Sequence, residues 1–353
     1  MTEIAKPDWR TQVKRLNLNE MPSWLSTILI VVLAFLVGGI LIFAIGASPL
    51  AAYAALLDAA FGDMNGFAET MVKACPLIFA GLGITVAYRA KFWNIGAEGQ
   101  IYAGGIATAL VGISLSHLPA FIFIPVALLA GALGGAIIGF IPGVLKAKLK
   151  VNEVITTLML NYIIIQLTAY LVHSPMRDVS SGITISPQLD RAAWLPIIVP
   201  QTRFHLGILL AVGAAFVVSW LLYQTVLGYQ LRAVGERART ARFLGIPVER
   251  TIIWTMIISG ALAGLAGTAE VSGVQHRLVE SFSPGYGYLA IAVALLANLE
   301  PFGVVLSSIL FAALLNGADA MQRAAAVPVP VIYVIEGLVI LFVAIRVQHR
   351  RAH

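Results

Sequence analysis

Charge is scarce in this sequence. Aspartate, glutamate, lysine and arginine make up 11% of its 353 residues, against about a quarter in an ordinary soluble domain. Hydrophobic residues make up 59%, and the mean hydropathy is +0.90. A single soluble core cannot hide that much apolar surface, so the composition excludes a soluble globular protein and implies a polytopic membrane protein. Cysteine is almost absent. Cys75 stands alone, which excludes an intramolecular disulfide and a cysteine metal cluster, and its apolar run before Pro76 marks it as a small buried hydrophobe. The six histidines are scattered and no His-Glu-x-x-His occurs, so no metal site is supported. The dipeptide Gly-Lys does not occur, so no phosphate-cradling loop exists and the chain is not expected to hydrolyse ATP itself. No Ser–His–Asp arrangement can be argued, and no residue is assigned a catalytic role. The net charge of +6 lies mostly in short loops, where it sets membrane orientation and does not suggest nucleic acid.

Long apolar runs take the place of charge. Ten spans are predicted, over 24–44, 70–88, 96–115, 121–141, 154–172, 206–224, 251–272, 286–298, 303–320 and 331–345. The eighth and tenth are short for a full crossing, and one is a candidate half-helix. The expected organisation is a polar cytoplasmic segment 1–23, one transmembrane domain 24–346 and a cytoplasmic tail 347–353. The first run is too long for a signal peptide and is taken as an uncleaved helix. With both termini in the cytoplasm, 17 of the 23 lysines and arginines fall in inside segments, which is the bias that orients membrane proteins. Two outside segments are substantial. Residues 48–69 include an amphipathic stretch expected at the outer interface. Residues 173–205, rich in proline, serine and charge, form either a cap or docking edge, or a solvated linker.

Three polar clusters interrupt the apolar runs. In residues 91–105, Asn94, Glu98 and Gln100 enter a span among Gly96, Gly99, Gly104 and Gly105. A carboxylate in hydrocarbon costs several kcal/mol unless it faces protein or water. Asn94 and Glu98 share a face if the helix begins early enough, and act either as a pore-lining gate or as a hydrogen-bonded clamp. In residues 151–162, Asn152 and Glu153 suit a helix N-terminus. Thr157 and Asn161, four apart, line a polar path or bond to another helix. In residues 283–301, Gly285 and Gly287 break the chain beside Tyr286 and Tyr288, whose rings either stack on a planar solute or belong to an interfacial belt. Glu300 is expected in a solvated turn. Glu270 is a second intramembrane acid, a proton-relay candidate or a structural group.

The remaining landmark is the basic loop 228–250, in which Arg232, Arg237, Arg239, Arg242 and Arg250 alternate with small residues and outnumber Glu236 and Glu249. It reads as a cytoplasmic helix fitted to a partner's groove. Together with Phe92–Gln100 (FWNIGAEGQ), Asn152–Tyr162 (NEVITTLMLNY) and Gly285–Leu296 (GYGYLAIAVALL), it resembles the permease subunits of ABC importers, in the branched-chain amino acid, ribose and nucleoside superfamily and its nucleoside or simple-sugar branch. The similarity runs from about residue 69 to 322. It implies an all-α inner-membrane permease of the type II importer kind. It further implies a partner ATP-binding subunit carrying the ATP and magnesium, a second permease chain, and an extracytoplasmic solute-binding lipoprotein. By the same resemblance Arg232, Gly235, Glu236, Arg239, Arg242 and Gly245 belong to the ATPase coupling loop, and relatives often read Asn-Pro at Arg237 and Ala238. The expected solute is a nucleoside, with a ribose-like sugar as alternative. A carrier driven by an ion gradient, using Glu98 or Glu270, is the rival class.

Overall fold

A computed structural model describes residues 23–115 and 119–342, apart from 329, 336 and 339. The expected N-terminal segment and C-terminal tail therefore lie outside the described residues, save for Ser23. All named elements are helical: α1 (Ser23–Ala44), α2 (Pro49–Phe61), α3 (Met64–Arg89), α4 (Ala97–Ser114), α5 (Ala120–Leu149), α6 (Glu153–His173), α7 (Gly207–Gln224), α8 (Val226–Phe243), α9 (Val248–Glu270), α10 (Tyr286–Leu296) and α11 (Pro301–Ala325). Six helices are long and apolar enough to cross a bilayer, and four apolar helices are shorter: Ile28–Ala44, Pro49–Phe61, Tyr286–Leu296 and Pro330–Phe342. Among the described residues these make ten apolar helices, but not one for each expected span: Pro49–Phe61 is not among the expected spans, and α4, the third span, is not among the ten.

α3 is the central post, buried almost without interruption from Thr70 to Tyr88. α9, α10, α11 and α7 pack around it. α4, α5 and α9 form a second layer, in which glycine permits backbone contact. A Cβ on Gly264 would lie 2.1 Å from the Gly131 carbonyl oxygen, and one on Gly260 would lie 2.3 Å from that of Gly135. Small residues let helices gain packing contacts in lipid, where apolar side chains have no reason to leave the solvent. The outward faces are correspondingly greasy: Leu129, Leu133 and Ile137 on α5 recur every four residues and are exposed.

Of three further features, the first bears out the expected half-helix, the second overturns the shared face of Asn94 and Glu98, and the third gives residues 48–69 a packing partner. α10 has 11 residues and spans about 16 Å, half the ~30 Å hydrocarbon core. Its last turn lies at the α8 end of the bundle, where the Leu299 carbonyl meets Arg89. Its first turn therefore sits midway along α3, making the eighth span the half-helix. α4 begins only at Ala97, so Asn94 precedes the helix and does not share a helical face with Glu98. Finally, the 48–69 stretch is a helix packed on α11, with Ala52, Leu56 and Ala60 buried, followed by a tight turn into α3.

Residues 173–205 fold back as a cap. Leu195 and Leu189 amides donate to the carbonyls of Ser272 (3.0 Å) and His276 (2.9 Å), and Trp194 stacks on His276 at 3.8 Å. These contacts hold a π-helical turn, Val271–Gln275, that continues α9. His205 is buried beneath the cap, and among the described residues its Nε2 has no hydrogen-bond partner. Burial, aided by His276 and Arg203, pushes its pKa down to about 4.

Candidate functional site

The polar residues singled out in the sequence meet around the point where α10 begins. The chain leaves α3 at Arg89, turns through Lys91 with positive φ, and re-enters the bundle as an irregular segment before α4. Asn94 fastens that segment. Its Oδ1 accepts from the Gly96 amide (2.9 Å), and its Nδ2 donates to Ser259 Oγ (2.9 Å) and Gln100 Oε1 (3.0 Å).

α6 clasps the same segment from the other side. Thr157 Oγ1 accepts from the Ile95 amide at 3.3 Å. Asn161 donates to the Ile95 carbonyl (2.8 Å) and the Tyr288 hydroxyl (3.3 Å), and accepts from the Gly99 amide (2.8 Å). Thr157 and Asn161 do share a face, as their spacing requires, and that face is spent on hydrogen bonds between elements. Asn152 caps α6 through the Val154 amide (2.9 Å), and Glu153 pairs with Lys146 (2.5 Å).

Glu98 closes the arrangement. Its Oε2 accepts from the Gly287 amide at 2.6 Å, and the Ser283 hydroxyl and Gly285 amide also face it. A helix N-terminus carries about half a positive charge and unpaired amides, so α10 presents an anion site that Glu98 fills from within the chain. Gly285, at φ +95°, supplies the left-handed turn that aims these amides. Asn94, Glu98, Gln100, Thr157, Asn161 and Tyr286 are all buried, whereas Tyr288 is 40% exposed. In this conformation hydrogen bonds engage five of the six, Tyr286 is packed into the apolar core, and Tyr288 keeps an exposed aromatic face.

α8 forms the second site. Thr225 caps it by accepting from the Gly228 amide at 3.1 Å. Leu231, Val234, Gly235 and Ala241 are buried. Arg239 and Arg242 line a cleft of 360 Å³ with Ala238, Phe243 and Val248. Phe243 and Leu244 project outward, and Gly245 turns the chain at φ +80°. Exposed aromatic and aliphatic residues beside arginines are the chemistry of a docking surface. Arg232 faces back toward the bundle, its guanidinium 5.3 Å over the Tyr223 ring, while Glu236 is exposed and only its backbone carbonyl accepts from Lys91, at 3.4 Å.

Residues 66–344 match the family of branched-chain amino acid transport system permease components. The chain belongs to this family. The permease is 36% identical over 336 residues to a guanosine ABC transporter permease of Bacillus subtilis, covering 94% of both chains. It is 31% identical over 338 residues to a nucleoside ABC transporter permease of Lactococcus lactis, covering 93% of this chain and 92% of the relative. It is 35% identical over 335 residues to a glucose ABC transporter permease of Haloferax volcanii, covering 91% and 88%. No solved structure matches it.

The departure from the expected Asn-Pro at Arg237 and Ala238 is accommodated locally. Arg237 has φ −151° and ψ 101°, an extended residue inside α8. A residue before proline is pushed to that region. The permease keeps the break that Asn-Pro would impose, with Arg237-Ala238 in its place. Other participants were missed from sequence. Ser259, Ser283, Tyr223 and Arg89 sit in apolar runs or at helix ends, and only the tertiary fold brings them to their partners. Glu300, expected in a solvated turn, is exposed there, and it also pairs with Arg89 and accepts from Tyr223 at 2.7 Å.

Proposed function

We propose that this permease is the membrane subunit of an ABC importer for nucleosides. The basic end, with both termini, faces the cytoplasm, and α8 docks on a partner ATP-binding subunit that carries the ATP and magnesium. A second permease chain completes the path, and an extracytoplasmic solute-binding lipoprotein delivers the solute. The observation that carries the solute class is the neutralised centre. The half-helix N-terminus, the natural seat for an anionic solute, is already occupied by Glu98. What remains exposed there is uncharged and aromatic, led by the Tyr288 ring, which suits a neutral, planar base. The guanosine and nucleoside permeases among its relatives support the same choice.

A sugar is the second reading, favoured by the glucose permease relative. Uptake of labelled guanosine, adenosine, uridine, ribose and glucose by cells with and without the gene separates the two. Nucleoside uptake is expected to vanish on deletion. Gene-dependent sugar uptake without nucleoside uptake overturns the nucleoside assignment. Uptake that persists after ATP depletion and follows an ion gradient overturns the ATP-driven one.

A further inference from the structure

We infer that Arg89, Tyr223 and Glu300 form a joint that carries movement of α8 to the half-helix α10, and through it to Glu98. The inference rests on α8 being the face that meets the ATP-binding subunit.

α8 is seated directly on this joint. A Cβ on Gly235 would lie 2.0 Å from the Arg89 carbonyl oxygen, so no other residue allows the two backbones to meet. Arg232 covers one face of Tyr223, and Arg89 lies 5.8 Å from the same ring.

α10 is fastened to the other side. Arg89 Nε and Nη2 donate to the Leu299 carbonyl at 3.2 and 3.1 Å. Arg89 Nη2 also donates to the Tyr223 hydroxyl (2.9 Å) and to the Glu300 carboxylate. The Tyr223 hydroxyl in turn donates to Glu300, lying 2.8 and 2.7 Å from its two oxygens. A lone ion pair this exposed would count for little. Here one guanidinium is fixed by three acceptors, and the carboxylate by two donors, so the geometry is determined from several directions.

The anchored turn is also primed. Asn298 and Leu299 both have positive φ, 54° and 58°, a region that residues other than glycine occupy only when their surroundings hold them there. Beyond it, α10 is a short unbroken helix whose far end is hydrogen-bonded to Glu98. A displacement of one end must reappear at the other.

The test uses the assembled transporter, with its ATP-binding and second permease subunits, in proteoliposomes. Tyr288→Cys, at the α10 start, is labelled with N-ethylmaleimide with and without ATP and vanadate, while ATP hydrolysis is followed separately. Nucleotide is expected to change the labelling rate about tenfold, the effect of a 1.4 kcal/mol shift between two arrangements. Glu300→Ala and the milder Tyr223→Phe are expected to abolish that response while ATP hydrolysis continues. Exchanging the charges, Arg89→Glu with Glu300→Arg, is expected to restore part of it. Should Glu300→Ala fail to assemble, Tyr223→Phe decides, since it keeps the ring and removes only the hydroxyl. Labelling that still follows nucleotide in Tyr223→Phe, or that never responds in the parent, overturns the joint. Arg242→Glu tests the underlying premise: a response that survives it removes α8 as the docking face. A response lost in Arg242→Glu but intact in Tyr223→Phe leaves α8 standing and sinks the joint alone.

Discussion

Replacing Gly287 with alanine perturbs the candidate site with a single methyl group. A Cβ there would lie 2.2 Å from the Glu98 nitrogen and 2.5 Å from its Cα, both backbone atoms that cannot rotate away. Ordinary contact begins at 3.4 Å, so the start of α10 must retreat by about 1.2 Å. The 2.6 Å bond from the Gly287 amide to Glu98 would then stretch to about 3.8 Å, beyond hydrogen-bonding range. Losing a bond to a charged acceptor costs about 1.5–3 kcal/mol, and the strain of overpacking adds about 1–3 kcal/mol. The expected result is a loss of about 2.5–6 kcal/mol in stability. Uptake should fall at least tenfold in a permease that still inserts and assembles. Thermal unfolding of the purified transporter and uptake in proteoliposomes measure the two. Gly213→Ala on α7, where a Cβ meets nothing within 4 Å, serves as the neutral control. Parent-like melting and uptake in Gly287→Ala would refute the idea that α10 is held against Glu98.

Glu98→Gln should weaken uptake several-fold without abolishing it, because one acceptor oxygen survives while the new amide group opposes backbone donors; complete loss with intact assembly and ATP hydrolysis would instead establish a required charge. Ala238→Pro should be tolerated in fold and transport, since Arg237 already adopts the extended backbone that proline demands of its predecessor, and a melting temperature several degrees lower contradicts this. For His205 the folded state holds a pKa of about 4, below the unfolded 6.5. The unfolded chain therefore binds the proton more tightly, and the stabilisation present above pH 6.5 is lost as pH falls toward 4, by about 3 kcal/mol in total. Melting profiles between pH 7.5 and 5 should lose much of this slope in His205→Asn, and identical slopes would rule the histidine out.

Much of this permease was legible in its sequence because bilayers impose a simple code. Apolar length placed α4, α6 and α7 within a residue or two of their observed ends. The polar clusters were also visible, since Asn94, Glu98 and Asn161 stand out against hydrocarbon. Their partners were not legible. Asn94 bonds Ser259, 165 residues away, and Glu98 bonds an amide 189 residues away, and no local pattern encodes such distances. Periodicity also suggested one face for Asn94 and Glu98, but the segment before Ala97 is irregular because Asn94 uses its side chain on the Gly96 amide. Side-chain bonds of this kind compete with helix formation. Glu300 is exposed, as its polar turn suggests, but only the approach of α3 and α7 gives it Arg89 and Tyr223.

The glycine contact between α5 and α9 has a consequence for register. Gly131, Gly135 and Gly139 recur every four residues on one helix, as do Gly260 and Gly264 on the other. Gly264 lies against both Gly131 and Gly135, and Gly260 against both Gly135 and Gly139, so a slip of four residues, about 6 Å, again sets glycine against glycine and the surface is nearly self-similar under that shift. Bare backbone therefore does not choose its own alignment. Part of the choice falls to Thr108 of α4 and Thr268 of α9, whose hydroxyls bond at 2.9 Å and close on Gly131 of α5, where a Cβ would lie 1.8 Å from Thr268 Oγ1, so a slip that brings Ala127 to this place is resisted. These two threonines act as the pin in a ratchet with more than one notch. Cysteine pairs placed along α5 and α9 should crosslink in one register in the parent and in two once Thr268 is changed to alanine. A single register in both would show that the alignment is fixed elsewhere.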